Sequence, residues 1–296
     1  MDVDGVPWRR ERPKHIIGMP SWSMPAQGYR EEPVPADLFG PDDGWAWDGA
    51  DGSGVRVCVL DSGVEGSHPM VAPIDRAWQV VTADGRAPQV EECAARDTAG
   101  HGTACAGIIR RIAPRVSLSS VKVLSEGKSG SSAALVAGLA HAIEQGFDII
   151  NMSLSTARLE FRSRLSELCD RAYFRRTTLV VAAHNLPIES FPWNFASVVS
   201  VASHAEQDPM SYYYNATPPV EFFARGVRVP VATLGGGTGH SSGNSFAAPH
   251  LAGIAARILS KHRWLTPFQL KSVLYHCATN VSTRGVGDGV LVIRAT

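Results

Sequence analysis

The sequence predicts an α/β fold, a three-layer sandwich in which a mostly parallel central sheet carries helices on both faces. Three observations lead there. Runs suited to strands alternate with runs suited to helices through most of the 296 residues, and crossover helices joining parallel strands produce that rhythm. The run Val55-Arg56-Val57-Cys58-Val59-Leu60 is almost continuously apolar, as suits a strand buried on both faces. Near the C-terminus Leu251, Ile254, Ala255, Ile258 and Leu259 recur at three- and four-residue spacing, which reads as a buried helix beginning near Ser245.

Residues 1 to about 50 are rich in Pro, Gly, Trp and charge and hold no sustained period. Only His15 to Met19 suits a short strand, and Ala36 to Phe39 one turn of helix. Residues 1–45 are therefore read as an extended arm and 46–296 as one domain. Order begins at the Val55 strand, introduced by Gly52-Ser53-Gly54. Small residues from Gly100 into Ile108 and Ile109 imply a closely packed helix. Strand is expected at 116–124, helix at 132–145, strand at 147–154 and an amphipathic helix at 159–176. Strands follow at 178–183 and 197–202, then a looser β-rich stretch through Phe222, Phe223 and Val231. Gly235-Gly236-Gly237-Thr238-Gly239 lacks the Lys-Ser/Thr of a phosphate loop and reads as a flexible approach to the segment around Ser245. The last helix opens at Thr266-Pro267-Phe268-Gln269, a capping box with proline at the first helical position.

Composition excludes several function classes. Lysine plus arginine balance aspartate plus glutamate at 28 each, so no overall field favours nucleic acid or an anionic membrane as partner. The basic patch Arg9, Arg10, Arg12 and Lys14 and the acidic patch Asp42, Asp43, Asp48 and Asp51 read as solvated surface. No apolar run approaches the ~18 residues of a membrane span. The N-terminus lacks the apolar stretch and small-residue cleavage site of a secretory signal. With Met1 as the natural start, a cytoplasmic location is expected. Five cysteines without dense spacing suit free thiols in a reducing compartment.

Three polar residues stand at the edges of buried elements among small neighbours: Asp61, His101 and Ser245. Asp61 ends the first strand, where open α/β sheets place their sites; an aspartate there also commonly starts a turn. His101, flanked by Gly100 and Gly102, sits at a helix N-terminus, whose dipole favours a neutral imidazole able to accept a proton. Ser245 begins the apolar helix, where unpaired N–H groups stabilise nearby negative charge; a plain helix cap is the bland alternative.

In that order the three match the arrangement of subtilisin, and the chain resembles a subtilisin-type serine protease over roughly residues 45–280. Val55 to Gly63 is similar to the family's aspartate strand, His101-Gly102-Thr103 to its histidine motif, and Gly243 to Pro249 to its serine motif. Asn151-Met152-Ser153-Leu154 resembles the substrate-binding strand, and Ala182-Ala183-His184-Asn185 the segment with the oxyanion asparagine. The resemblance implies a subtilisin-like fold and a peptidase of the S8 family, closest in layout to intracellular subtilisins. It implies Ser245 as nucleophile, His101 as base and acid, Asp61 as the orienting carboxylate, and Asn185 as oxyanion donor. Substrate would lie extended along Ser129-Gly130 and Ser153-Leu154-Ser155, with His184 and Asn244 as further contacts. No cofactor is implied.

Departures from the family pattern bear on rate and specificity. His184 stands where glycine is usual beside the specificity pocket, Asn244 where threonine usually precedes the nucleophile, and Ser155-Thr156 where a glycine pair is common. The asparagine amide is expected to aid the oxyanion with altered geometry. Arg110-Arg111-Ile112-Ala113-Pro114 runs directly to the next strand where relatives insert a calcium loop, and it offers no hard-oxygen ligand set. Cys93, His101 and Cys105 lack the spacing of a zinc site, so no metal is expected. The arm is expected to lie on the surface or across the cleft, giving self-inhibition. Three functions are open to such a chain: an intracellular serine endopeptidase acting on a protein or precursor peptide; a peptide-binding module whose chemistry His184 and Asn244 have spoiled; and an esterase that takes His250, His262 or His276 as its base.

Overall fold

The computed structural model describes residues 41–82, 86–124 and 130–283, together with the strand Val34–Ala36. The strand expected at His15 to Met19 lies outside the described residues. Of the turn expected near Ala36 to Phe39, Ala36 ends a strand and the rest lies outside them.

In chain order the elements are β1 (Val34–Ala36), α1 (Asp43–Ala46), β2 (Arg56–Asp61), β3 (Ala77–Val81), β4 (Gln89–Glu92), α2 (His101–Ile112), β5 (Ser117–Lys122) and α3 (Ser132–Glu144). Then come β6 (Ile149–Met152), α4 (Arg162–Phe174), β7 (Thr178–Ala182), β8 (Val199–His204), β9 (Tyr212–Tyr214) and β10 (Phe222–Arg225). The hairpin β11 (Val229–Thr233) and β12 (Gly237–Ser241), α5 (Asn244–Lys261), α6 (Pro267–His276) and β13 (Val281–Thr283) complete the described chain. Every strand and helix expected between residues 55 and 276 is present with its ends moved by a few residues. Only Leu159 to Phe161, read as the start of a long helix, forms a separate 3-10 turn before α4.

The central sheet runs β4-β3-β5-β2-β6-β7-β8-β10-β9. Its interior pairs are parallel, and only the outermost pairs, β3 with β4 and β9 with β10, are antiparallel. Alternation along the central strands builds two cores. Val57 and Val59 of β2, with Val180 and Ala182 of β7, face α2 and α5, whereas Cys58, Leu60, Leu179 and Val181 face α3 and α4. Successive strand side chains point to opposite faces, so a strand apolar throughout needs helices on both sides. This is the predicted three-layer fold. Among the described residues no helix is long and apolar enough to cross a membrane.

The edge hairpin of β3 and β4 has no counterpart among the expected elements; Gln89 to Glu92 of β4 is polar and mostly exposed, and β3 is a short run of five residues. The glycine stretch at 235–239 is a correction. It is the turn and return strand of a paired hairpin, with Thr233 opposite Gly237 and Gly235 and Gly236 at φ 79° and 78°. Two successive left-handed residues reverse the chain at no steric cost only when both are glycine. The capping box before α6 forms as expected: Gln269 N–H donates to Thr266 Oγ1, and Thr266 N–H to Gln269 Oε1. Helix α1 packs on α5, where Lys261 Nζ donates to Gly44 O and His262 stacks on Trp45.

Between α2 and β5, four backbone carbonyls converge on one guanidinium. Arg110 donates to Val71 O, Pro73 O, Pro114 O and Val116 O at 2.6 to 3.1 Å. Val71 and Pro73 belong to the segment between β2 and β3 and Pro114 and Val116 to the α2–β5 connection, so the guanidinium ties the two together.

Candidate active site

Asp61 is the last residue of β2, near the middle of the sheet, and is fully buried. Its Oδ1 accepts from Ser62 N–H at 2.7 Å. His101 Nδ1 lies 2.8 Å from Asp61 Oδ1 and 3.0 Å from Oδ2. The carboxylate only accepts, so Nδ1 carries the hydrogen and Nε2 is left as the basic nitrogen of the neutral ring. The imidazole is 9% exposed, and His101 lines the cleft.

The residues around His101 explain how the ring reaches this place. Gly100 caps α2 at φ 77°, a backbone state that favours glycine. At Gly102 any Cβ would stand 2.0 Å from Gly63 O and 3.1 Å from Asp61 Cβ. Only a missing side chain lets α2 approach the end of β2 closely enough for the Asp61–His101 hydrogen bond. The approach is tied down by Asp97, a residue that sequence reasoning missed. Its Oδ1 accepts from Ala99 N–H, Gly100 N–H and Ser62 Oγ, and its Oδ2 from Thr103 N–H and Oγ1, all within 2.7 to 2.9 Å. Ser62 Oγ in turn accepts from Gly102 N–H at 3.0 Å. A carboxylate just before a helix start was the available signal, since that is where orphan N–H donors collect.

Ser245 is the second residue of α5, behind Gly243 at φ 145°. Its Oγ lies 3.4 Å from Ser153 O. The proline four residues on supplies a second anchor. Pro249 has no N–H to give to the carbonyl one turn back, so Ser245 O accepts instead from Ser153 Oγ at 2.8 Å and lies 3.5 Å from Cys105 Sγ. Ser153, expected as a substrate contact, therefore has a buried side chain that fixes the serine turn to the strand end, while the residue still borders the cleft. Cys105 packs beneath, and it joins Asp61 and His101 in the one cluster among the described residues whose possible metal-ligating atoms all lie within 4.8 Å of one another. Cys93 is no part of it.

A cleft of about 440 Å³ brings His101, Ser245, Asn185, His184, Gly130, Ser153, Leu154 and Ser155 to one surface. Ser129 lies outside the described residues. Asn185 is exposed, and its Oδ1 accepts from Asn244 N–H at 3.0 Å. That bond turns the amide so that its nitrogen is the group left to donate into the cleft beside the N-terminus of α5.

Asn244 is a correction. It is fully buried and does not line the cleft. Its Oδ1 accepts from Ser203 N–H and Oγ, each at 2.9 Å, and its Nδ2 donates to Ala183 O at 3.2 Å and His184 O at 3.3 Å. With both lone pairs and both hydrogens engaged, the amide has nothing to offer an oxyanion. It ties the end of β7, and with it His184 and Asn185, to β8. The three histidines that an esterase would draw on lie elsewhere. His250 is buried, bonded to Phe246 O, and pushed down to about 4 by desolvation. His262 bonds to Trp45 O, and His276 sits on α6, away from the cleft.

Residues 52–290 match the family described as "Subtilase family". Among curated proteins the chain is 29% identical to "Thermitase" of Thermoactinomyces vulgaris, the match covering 81% of this chain and 86% of that protein. It is 31% identical to "Subtilisin DY" of Bacillus licheniformis, covering 83% and 92%. Among solved structures it superposes on "Sphericase" with a TM-score of 0.67 at 28% identity, covering 79% of this chain and 86% of the other.

Proposed function

The chain belongs to the subtilase family and is a serine endopeptidase, and from that premise we propose that Asp61, His101 and Ser245 are its catalytic triad. The observation that carries the assignment is the buried Asp61 carboxylate on His101 Nδ1, with the same imidazole and Ser245 bordering one cleft. His101 Nε2 takes the Ser245 hydroxyl proton as Oγ attacks the peptide carbonyl carbon. Asp61 stabilises the imidazolium that forms. The oxyanion accepts from Ser245 N–H, at a helix start where N–H groups lack intrahelical partners, and from Asn185 Nδ2. Collapse breaks the C–N bond, and His101 hands its proton to the departing amine. Water, activated by the same imidazole, then hydrolyses the acyl-enzyme. Labelling by a fluorophosphonate, lost in Ser245→Ala, tests the assignment.

Asn185→Ala should lower kcat about 10²–10³-fold with KM little changed, because an oxyanion donor acts chiefly in the transition state. That size is borrowed from subtilisin's own asparagine and does not come from this geometry. A fall in KM-controlled binding alone would remove Asn185 from the role.

Substrate enters as an extended peptide between Gly130 and Ser153 to Ser155, in the manner of strand addition. An intracellular protein or precursor peptide as substrate is supported by five cysteines that are all free thiols. The arm is proposed to cover the cleft. Deleting residues 1–35 should then raise kcat/KM on a small peptide, and unchanged kinetics would remove the inhibitory role. The inward orientation of Asn244 supports catalysis over a pure binding module, since this departure leaves the cleft side of the serine turn undisturbed.

A further inference from the structure

Beside Ser245 the cleft opens between the ends of β6 and β7, bordered by Ser153 to Thr156 on one side and Ala182 to His184 on the other. We take this recess, in the same cleft as Ser245, to receive the side chain of the residue whose carbonyl Ser245 attacks. Its Ser155–Thr156 side is tied to the segment 190–193. Thr156 and Phe191 exchange backbone hydrogen bonds at 2.9 Å, Ser155 Oγ meets Ser190 Oγ at 3.0 Å, and Trp193 Nε1 donates to Ser190 Oγ at 2.8 Å. Among the described residues the cleft is lined by no aspartate, glutamate, lysine or arginine. A cationic substrate side chain therefore meets no counter-charge from the described residues there.

His184 is the half-buried polar group at the recess, and its hydrogen-bond pattern indicates which way it serves. Nδ1 lies 3.0 Å from Leu186 N and 3.3 Å from Leu186 O. Leu186 O already accepts from Ile188 N–H at 2.8 Å, whereas a backbone N–H can only donate. Nδ1 is thus the acceptor, and the hydrogen of the neutral ring sits on Nε2. Among the described residues Nε2 has no partner. The backbone beneath is held by Asn244, whose Nδ2 donates to His184 O.

Building on the proteolytic function proposed above, we infer that His184 makes this endopeptidase prefer a residue with a side-chain hydrogen-bond acceptor (Asp, Asn, Glu or Gln) on the carbonyl side of the cleaved bond. The Nε2–H donates to the side-chain carbonyl or carboxylate oxygen, and protonation of the ring leaves that donor in place.

The test uses purified full-length protein and fluorogenic peptides that differ only at that residue, with Asp, Asn, Glu, Gln, Leu and Lys compared. Active sites are counted with a fluorophosphonate. The wild type should cleave the best acceptor-bearing peptide with a kcat/KM about fivefold or more above the Leu peptide, the size of one net hydrogen bond. His184→Ala should bring that ratio to about one, and His184→Gln, which keeps a donor, should restore part of it. Because each ratio is measured within one preparation, a smaller folded fraction leaves it unchanged. Labelled wild type that prefers Leu or Lys, or a His184→Ala ratio equal to wild type, overturns the inference alone. Protein that neither labels nor cleaves any peptide overturns the proteolytic function and this inference with it.

Discussion

Ser245→Ala should yield a folded protein that takes up no fluorophosphonate and cleaves peptides at least about 10⁵-fold more slowly than wild type. In subtilisin itself loss of the corresponding serine costs about 10⁶ in kcat, so the magnitude is inherited from that enzyme. The structural side comes from this chain. Ser245 holds its place through its main chain, because Pro249 frees the Ser245 carbonyl for Ser153 Oγ and Gly243 sets the turn. Its hydroxyl has a long contact, 3.4 Å, to Ser153 O. Removing that oxygen therefore changes chemistry and leaves the turn intact, and thermal unfolding should move by no more than a few degrees. Retained labelling in the variant would show that another residue is the nucleophile.

Asp61→Asn should reduce kcat about 10⁴-fold through a change of tautomer, with little change in fold. Ser62 N–H donates to Asp61 Oδ1, so the amide oxygen of the substituted residue keeps that position and its NH₂ group takes the place of Oδ2. Oδ2 is 3.0 Å from His101 Nδ1. An N–H in that place opposes the Nδ1–H that the oxygen at the Oδ1 position, 2.8 Å away, still accepts; the ring hydrogen shifts toward Nε2, fewer molecules hold a base for the serine proton, and the uncharged amide no longer stabilises the imidazolium. Measured by steady-state kinetics beside fluorophosphonate labelling rates, both should fall together. An Asp61→Asn enzyme retaining a tenth of wild-type kcat would sink the assignment of Asp61 as the orienting group.

Much of the site was legible because its residues sit at the ends of strongly patterned elements. The apolar run into Asp61 and the spaced apolar residues after Ser245 announce a buried strand and a buried helix, and the small residues around His101 announce close packing. Two kinds of feature escaped. Strand β4 is a polar, mostly exposed edge, and such a strand carries no burial pattern to read. The roles of Asp97, Ser153 and Asn244 are hydrogen-bonding roles, and a polar side chain does not disclose its partner when that partner is far along the chain.

Asn244 and Ser203 are 41 residues apart in sequence, and Ser153 and Ser245 are 92 apart. By itself the sequence determined the layering, the strand that ends in Asp61, the helix that begins at Ser245 and the order of the three polar residues, because periodicity and small-residue spacing record burial within a single element. Only the tertiary structure decided that Asn244 turns inward, that Ser153 anchors the serine turn, and that His184 Nδ1 accepts from Leu186 N–H at the border of the cleft. Each of those outcomes depends on which donors and acceptors distant segments bring within about 3 Å, since a buried polar group must be paired there or lose stability.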